Sequence, residues 1–308
     1  MTLSVGLVGL GAMGLPMGKR LLGAGHDLHV VPHVNRAPAD ELAALGASVH
    51  DSPSDLARDC SIVITSVPDV PHVRSILFDE GGLATEPHDG LLHIDMSTIT
   101  PSAARDLHEK LVSLGMHALD APVSGGPARA ADGTLTIMVG GKSEVVERAR
   151  PLLDVLGKHI LHVGDAGSGQ AVKLVNQLMI SIIMVANAEA LSLGVKAGVP
   201  LETLTEVIST SSGSNYLMQS WLPRTLFAGD LTGGFALDLL MKDLNAAMQW
   251  ANEMGAPTFG GSVAQQLYRL AKASGGARLD YSVVARIYEE ACGVELRFDG
   301  GNGAAASS

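Results

Sequence analysis

Hydrophobic and polar residues alternate in two different ways along the chain. In the first half, short apolar runs alternate with segments whose apolar residues recur every three or four positions, which is typical of βαβ units on a parallel sheet. The predicted strands are Ser4–Val8, Leu28–Val31, Ile62–Ser66, Leu91–Asp95, Ala118–Asp120, Thr134–Val139 and His159–Val163. The predicted helices among them are Pro16–Leu22, Ala39–Leu45, Pro101–Leu114 and Ser143–Leu156. This half therefore predicts a doubly wound α/β domain over residues 1–165.

The second half shows helical periodicity with almost no alternating segments. Its predicted helices are Gln170–Ala197, Leu201–Ser209, Met218–Thr225, Leu237–Met254, Gly260–Ser274 and Ser282–Cys292. The segment 178–195 approaches the length of a membrane span, but Asn187 and Glu189 within it favour a buried helix of a soluble protein. We therefore predict an all-α domain over residues 166–298, followed by a disordered tail at 299–308.

Composition narrows the class of protein. The chain has 308 residues, of which 46% are hydrophobic and 17% charged, as expected of a soluble globular protein. Its net charge of −11 argues against nucleic acid and against anionic membrane surfaces as partners. Cys60 and Cys292 do not form a disulfide or metal-binding pattern, and the N-terminal segment does not resemble a signal peptide. We therefore expect a cytoplasmic protein.

A glycine motif lies between the first predicted strand and the first predicted helix. It consists of Gly9, Leu10, Gly11, Ala12, Met13 and Gly14 and matches G-x-G-x-x-G. The first glycine allows a tight turn, the second lets a pyrophosphate approach the backbone, and the third permits close contact between helix and strand. The N-terminus of the helix adds free N–H groups and partial positive charge. The motif predicts a Rossmann-type dinucleotide site.

The residues after the second strand bear on the choice of cofactor. An acid at this position usually holds the ribose hydroxyls of NAD, whereas an arginine accommodates the 2′-phosphate of NADP. Here Asn35 and Arg36 are present and no acid is, which favours NADP over NAD, unless Arg36 is simply a solvated residue at the start of a helix. Val67 with Pro68, and Ser97 with Thr98, follow later strands; we predict that they line the cofactor groove, although such residues also occur in ordinary turns.

A second glycine motif follows the strand that ends at Asp120. Ser124, Gly125 and Gly126 offer a hydroxyl and adjacent backbone N–H groups, which suit a substrate carboxylate. The alternative is a surface turn that needs glycine for its backbone angles.

The long helix carries three polar residues on one face, because Lys173, Asn176 and Gln177 lie at positions i, i+3 and i+4. Most helical lysines are solvated, but Lys173 lies near the start of the most apolar helix in the chain. Burial and a helix N-terminus both lower the pKa of an ammonium group toward the range useful for proton transfer. Lys173 is therefore the candidate general acid–base group. Lys242 is a candidate cofactor or substrate contact, with an ion pair to Asp238 as the alternative.

Four segments in this order resemble the β-hydroxyacid dehydrogenases, the family of 3-hydroxyisobutyrate dehydrogenase and tartronate semialdehyde reductase. They are VGLVGLGAMGLPM, DAPVSGGPARAADGTLTIMVGG, GSGQAVKLVNQ and LLMKDLNAAM, and they span nearly the whole chain. The resemblance implies reversible hydride transfer between a nicotinamide cofactor and a small 3-hydroxy acid or semialdehyde. It also implies that Lys173 is the catalytic lysine, that Ser124, Gly125 and Gly126 hold the substrate carboxylate, and that Asn176 lies beside the reacting hydroxyl. A homodimer or homotetramer formed through the helical domain is implied as well.

Some residues depart from the family pattern and keep alternatives open. Gln177 replaces a common asparagine, as in tartronate semialdehyde reductases. The segment Pro127-Ala128-Arg129 matches no assigned pattern; we expect Arg129 to be exposed, with binding of a second anionic group as the alternative. The segment 221–244 resembles sulfolactaldehyde reductases, but their Gly-Arg-Thr-Ser motif is replaced here by Ser124, Gly125 and Gly126. 6-Phosphogluconate dehydrogenases have a histidine in place of Asn176, and imine reductases typically replace the lysine.

The sequence gives less support to two other functional classes, a non-catalytic dinucleotide sensor and a metal-dependent enzyme. A non-catalytic module that senses dinucleotides would need the glycine loop but not the lysine helix. Metal-dependent catalysis is not indicated, because the 11 histidines show no H-E-x-x-H spacing. We expect His26, His29 and His33 to be exposed or packed singly.

Overall fold

The structure is a computed structural model that describes residues 2–85 and 90–298. It divides into two compact units, one up to Leu174 and one from Val175 onward. The first unit thus includes the start of the long helix, and the division lies after the domain boundary predicted at 165/166. That boundary remains a prediction, and the predicted disordered tail, 299–308, lies outside the described residues.

The first unit is built on a nine-stranded sheet. Its strands are β1 Ser4–Val8, β2 Asp27–Val31, β3 Ser48–Val49, β4 Ile62–Thr65, β5 Leu92–Asp95, β6 His117–Asp120, β7 Val123–Ser124, β8 Leu135–Gly140 and β9 Gly157–Gly164. The order is β3-β2-β1-β4-β5-β6-β8-β7, with β9 beside β8. Strands β1 to β6 are parallel, and β8 runs antiparallel to β6 and β7. The carboxyl ends of β1, β2, β4 and β5 therefore lie along one edge, where ligands bind in sheets of this type.

Helices cover both faces of this sheet. They are α1 Gly14–Gly23, α2 Ala37–Ala44, α3 Pro53–Asp59, α4 Val70–Phe78, α5 Pro101–Ser113, α6 Gly126–Asp132 and α7 Ser143–Leu156. Successive strand residues enter opposite apolar clusters, with Leu7 and Ile64 in one and Val8 and Val63 in the other. The predicted Rossmann-type doubly wound domain is confirmed. The elements that were not predicted from the sequence are β3, β7, α3, α4 and α6.

The second unit is helical, as predicted. It contains most of α8 Ser168–Lys196, together with α9 Leu201–Ser209, α10 Leu237–Glu253, α11 Phe259–Ala271 and α12 Ala285–Cys292. One apolar cluster unites them, and Tyr268 and Tyr281 are its largest fully buried side chains.

Three helices predicted in this unit differ from the structure. The predicted Met218–Thr225 helix is a π-helical turn, Leu217–Trp221, followed by a 3₁₀ turn, Leu222–Arg224, because Pro223 has no N–H group to donate. The predicted Gly260–Ser274 helix ends at Ala271, and Gly275 beyond it has a φ of 90°. The predicted Ser282–Cys292 helix begins instead as a 3₁₀ turn, Tyr281–Val284.

Helix α8 is long and strongly apolar. By length and composition it could cross a membrane, although 39% of its most apolar window is buried within the protein. Met184, Ala188 and Leu191 enter the apolar cluster of the second unit. Met179 and Ile182 are exposed, so the predicted buried helix has one exposed apolar side.

Candidate active site

The glycine loop joins β1 to α1 at the carboxyl edge of the sheet. Gly9 has a φ of 99°, and a Cβ atom there would lie 2.2 Å from the carbonyl oxygen of Ser66. A Cβ atom at Gly14 would lie 1.9 Å from the carbonyl oxygen of Gly9. Neither position can hold a side chain. A Cβ atom at Gly11 would meet nothing within 4 Å, so open space lies in front of the second glycine.

The N-terminus of α1 is suited to a pyrophosphate. Met13 precedes the helix without a side-chain capping hydrogen bond, and the first turn contains no acidic residue. In this turn the N–H of Leu15 donates to the carbonyl oxygen of Gly11 at 3.1 Å and Pro16 has no N–H group, so the backbone donors for a pyrophosphate come from the preceding loop. The helix dipole gives that end partial positive charge. Leu10 and Met13 are half-buried, whereas Gly11 and Ala12 are exposed. These residues fit a dinucleotide cofactor.

Asn35 and Arg36 precede α2 and are exposed. Asn35 Oδ1 accepts a hydrogen bond from the backbone N–H of Ala37 at 3.2 Å. Arg36 Nε donates to Asp40 Oδ1 at 3.1 Å, one turn along the helix. The guanidinium group therefore lies at the solvent-facing end of β2, where a ribose phosphate would be held in a fold of this type.

Gln170, which was not predicted from the sequence, joins the loop after β5 to the start of α8. Its Nε2 donates to the carbonyl oxygen of Ser97 at 2.8 Å, and its Oε1 accepts from the N–H of Ile99 at 3.1 Å. Ser97 Oγ in turn accepts from the N–H of Val67 at 3.0 Å. The predicted groove residues Val67 and Ser97 are thus brought together. Pro68 is exposed and Thr98 is half-buried beside them.

Asp120 holds the N-terminal end of α8. Its Oδ1 accepts from the N–H of Gly167 at 2.7 Å, and its Oδ2 accepts from the N–H of Gln170 at 2.9 Å. Burial raises the pKa of the Asp120 carboxyl, against the opposing effect of these hydrogen bonds. A Cβ atom at Gly169 would lie 2.8 Å from Asp120 Oδ2, so only glycine lets the helix approach this closely. Asp120 was seen in the sequence as the end of a strand, and its capping role was not predicted.

Lys173 lies one turn after Gln170 on α8 and is only 7% exposed, in agreement with the predicted burial. In the same unit, Ser124 ends β7 and is half-buried. Gly125 and Gly126 follow with φ values of 134° and 71°, which favour glycine at both positions. Arg129, on α6, is exposed as expected.

A second polar group lies within the helical unit. Gln177 is buried and donates from Nε2 to Asp243 Oδ2 at 2.9 Å, while exposed Asn176 donates to Gln177 Oε1 at 3.2 Å. Lys242 Nζ lies 3.0 Å from Asp243 Oδ1. The alternative pairing of Lys242 with Asp238 is wrong, because Asp238 pairs with Lys272, which follows α11, at 2.6 Å. Asp243 was missed, since one acid beside a lysine on a helix is a weak signal.

The expectation for the three named histidines holds in part. His33 is exposed, and His26 Nδ1 accepts from the backbone N–H of Leu3 at 3.3 Å. His29, however, is not packed singly, because its Nδ1 lies 2.8 Å from His50 Nε2. Parallel pairing of β2 with β3 brings the two imidazoles together, a contact that spacing in the sequence does not reveal.

Two family descriptions match the chain, one for each half. Residues 4–164 match the NAD-binding domain of 6-phosphogluconate dehydrogenase. Residues 167–288 match the NAD-binding domain of NADP-dependent 3-hydroxyisobutyrate dehydrogenase.

Individual proteins resemble the chain over nearly its whole length. The NAD-dependent L-serine dehydrogenase of Pseudomonas aeruginosa is 39% identical over 92% of this chain and 97% of its own. The 2-(hydroxymethyl)glutarate dehydrogenase of Eubacterium barkeri is 38% identical over 96% of this chain and 98% of its own. A solved structure of Mycobacterium tuberculosis 3-hydroxyisobutyrate dehydrogenase with L-serine is 35% identical, with a TM-score of 0.89, and covers 93% of this chain and 99% of that chain.

Proposed function

Because the chain belongs to the β-hydroxyacid dehydrogenase family and is an NAD(P)-dependent oxidoreductase, we propose that it interconverts a small 3-hydroxy acid and its semialdehyde, with Lys173 as the general acid–base group. The observation that carries this proposal is that Lys173 is buried near the start of α8. Asp120 caps this end of the helix, and Gln170 hydrogen-bonds to the loop after β5, on the side where the cofactor would bind. A lysine buried by such a scaffold has a fixed position, which proton transfer requires.

The named substrates of the relatives share one chemical skeleton. L-serine, 3-hydroxyisobutyrate and 2-(hydroxymethyl)glutarate each have a carboxylate, a substituted α-carbon and a primary alcohol on the β-carbon. They differ in the α-substituent, which is an ammonium, a methyl or a carboxyethyl group. We propose that this chain acts on the same skeleton, with Ser124 Oγ and the N–H groups of Gly125 and Gly126 on the carboxylate.

A bound nicotinamide cofactor would supply the hydride acceptor for the β-carbon hydrogen on oxidation and the hydride donor on reduction. Lys173 Nζ takes the hydroxyl proton during oxidation, so that a C=O bond forms as the C–H and O–H bonds break. During reduction the Lys173 ammonium donates that proton to the carbonyl oxygen. Asn176 would hydrogen-bond the same oxygen, and Gln177 would be oriented through its hydrogen bond to Asp243. Lys242, which pairs with Asp243, is proposed to contact the cofactor or the substrate.

We propose NADP as the preferred cofactor. Arg36 is exposed at the end of β2, and its hydrogen bond to Asp40 engages Nε, so the terminal nitrogens of the guanidinium group are the ones that would bind a 2′-phosphate. Asn35 is fixed beside it by the hydrogen bond from Ala37.

An activity screen tests the proposed function. The purified protein is assayed with L-serine, 3-hydroxyisobutyrate, glycerate, tartronate semialdehyde and sulfolactaldehyde, each with NAD(H) and NADP(H). We expect turnover on at least one carboxylate substrate, with a higher kcat/KM with NADP(H). Turnover on sulfolactaldehyde alone would instead favour the sulfonate-specific alternative. If the protein bound the cofactor but turned over none of these compounds, the remaining hypothesis would be a non-catalytic module that senses dinucleotides.

We also propose a homodimer or homotetramer formed through the helical unit. Exposed apolar side chains lie on two of its helices, with Met179 and Ile182 on α8 and Phe259 and Val263 on α11. A Cβ atom at Gly260 would contact Ile182 Cδ1 at 3.4 Å, so the two helices are neighbours and their exposed residues form one surface. Burying a continuous apolar surface of this kind favours association.

A further inference from the structure

Three elements of the first unit bring His29, His50 and Asp59 together. His29 lies in β2, His50 directly follows β3, and Asp59 ends α3. One possible ligand atom from each residue lies within 4.8 Å of the other two. The cluster lies near the start of β1 and β2, whereas the glycine loop follows the opposite end of β1. It is therefore separate from the proposed active site.

Hydrogen bonding fixes the proton on His29. Ser4 Oγ donates its hydrogen to the carbonyl oxygen of Asp59 at 2.7 Å, so it accepts at its second contact, 3.1 Å from His29 Nε2. Asp27 Oδ2, also 3.1 Å from His29 Nε2, is a second acceptor. Nε2 therefore carries the hydrogen, and His29 Nδ1 presents a lone pair toward His50.

This arrangement leaves unfavourable contacts when both imidazoles are neutral. The 2.8 Å contact between His29 Nδ1 and His50 Nε2 then needs the hydrogen of His50 on Nε2. His50 Nδ1 is left with a lone pair, and it lies 3.8 Å from the Asp59 carboxylate. Within the described part of the chain, the Asp27 and Asp59 carboxylates face these two imidazoles. A divalent cation between the rings would accept the lone pairs that otherwise lack a hydrogen to bond.

We propose that His29, His50 and Asp59 bind a divalent transition-metal ion of the Zn²⁺ type. Ligand atoms around a tetrahedral ion with bonds of about 2.0–2.1 Å lie about 3.3 Å apart. One candidate ligand atom from each of the three residues already lies within 4.8 Å of the other two, so small movements of the side chains would complete the site. His50 faces His29 through Nε2 and Asp59 through Nδ1, and one of these nitrogens would turn toward the ion. Two imidazoles with a carboxylate suit Zn²⁺, Ni²⁺ or Cu²⁺ better than Mg²⁺ or Ca²⁺.

Asp27 supplies the outer contact that such sites use. A carboxylate on the N–H of a ligating imidazole fixes the ring and makes its other nitrogen a better ligand. The ion would join β2, the segment after β3 and the end of α3, three elements within residues 27–59. The site thus stabilises the first unit and takes no part in hydride transfer.

Titration calorimetry with ZnCl₂ on the chain without an affinity tag tests this proposal. We expect one Zn²⁺ per chain and a melting temperature that rises with added Zn²⁺. His50→Ala and Asp59→Asn should each weaken the affinity by about tenfold or more and reduce the melting-temperature shift. His72→Ala is the matched control, because His72 pairs with Asp69 on the surface, away from the cluster; it should bind Zn²⁺ like the wild type.

Asp59 is about half exposed, so Asp59→Asn is expected to fold even if His50→Ala does not, and cofactor binding reports folding in each variant. Absence of Zn²⁺ binding to the wild type would overturn the proposal. Equal Zn²⁺ affinity in the wild type and in a folded variant of the cluster would overturn it as well. Neither result depends on whether the proposed substrate is correct.

Discussion

At the scale of single residues, the choice of cofactor depends on the side chains at the end of β2. Arg36 is exposed and bound to Asp40 through one nitrogen, so a phosphate can add to its contacts without first breaking a buried network. An arginine that binds a phosphate usually does so through two hydrogen bonds. NADP has a ribose 2′-phosphate that NAD lacks, so substitution of Arg36 should affect the binding of NADPH and not that of NADH.

We predict that Arg36→Ala weakens NADPH binding by about tenfold or more, since the loss of even one charged hydrogen bond costs about that factor, and leaves NADH binding nearly unchanged. Fluorescence titration with both cofactors measures this. Arg58→Ala is a suitable control, since Arg58 is also exposed and paired with a nearby acid, Asp55. Equal losses for NADPH and NADH would mean that Arg36 does not select the cofactor.

His93 makes the stability of the first unit depend on pH. Thr65 Oγ1 donates to Asp95 Oδ1 at 2.8 Å and so accepts from His93 Nε2 at 2.9 Å. Burial lowers the pKa of His93 to about 4. An unfolded histidine has a pKa near 6.5. As the pH falls below about 6.5, the unfolded chain therefore binds a proton that the folded chain excludes, and stability is lost.

We predict that this residue alone lowers the free energy of unfolding by about 2 kcal/mol between pH 7 and pH 5. Urea unfolding at the two pH values measures the loss. His93→Gln should show a smaller loss than the wild type, whereas His159→Gln, which changes an exposed histidine, should match the wild type. A loss of equal size in all three proteins would assign the pH dependence to other groups.

At the scale of elements, the start of α8 is the structure on which the proposed site depends. Asp120 takes the place of a conventional N-terminal cap, and Gln170 links the helix to the loop after β5, which Ser97 Oγ joins to the loop after β4. Lys173 lies one turn after Gln170 on this helix, so a shift of the helix start would displace Lys173 as well.

Asp120→Asn should therefore lower both stability and activity. The variant keeps the shape of the side chain but replaces an acceptor oxygen by an NH₂ group that faces a backbone N–H. We expect a loss of about 1–3 kcal/mol in the free energy of unfolding, together with a lower kcat. Asp106→Asn, at an exposed position on α5, is the control. Unchanged unfolding and unchanged kcat in Asp120→Asn would show that the cap does not position the helix.

The sequence predicted the long, strongly periodic elements best, because many apolar positions repeat the same signal. Strands β3 and β7 were missed because each is only two residues long, which is too short to show the alternation of apolar and polar residues that marks a strand. Helix α3 was missed although its capping box is readable, with Ser52 accepting from the N–H of Asp55. Helix α4 likewise begins with a cap, Asp69, followed by a proline within its first two positions.

The candidate site was predictable to the extent that it follows strands or glycines. The glycine loop and the Ser124 motif were found because close backbone approaches require glycine at fixed positions. Asp120, Gln170 and Asp243 were missed as functional residues, because their partners are 47, 73 and 66 positions away in the chain. Such contacts become visible only once the chain has folded.

At the scale of the whole molecule, the exposed apolar surface on α8 and α11 predicts self-association. Phe259 is the most exposed large apolar residue of this surface, at 84%. We predict that Phe259→Asp shifts the protein toward the monomer, as measured by light scattering after size-exclusion chromatography, because a charge would have to be buried in the interface. Leu45→Asp, on the first unit, should leave the assembly unchanged. A monomeric wild type would contradict the proposed interface.

The proposed mechanism requires Lys173 to move the proton that accompanies hydride transfer. The most direct test is to compare wild type, Lys173→Ala and the exposed-lysine control Lys158→Ala in two assays, kcat with the preferred substrate and affinity for the cofactor. We expect Lys173→Ala to lower kcat by about 100-fold or more while cofactor affinity stays near that of the wild type and of Lys158→Ala. Near-normal kcat in a folded Lys173→Ala protein that binds the cofactor would rule out proton transfer by Lys173.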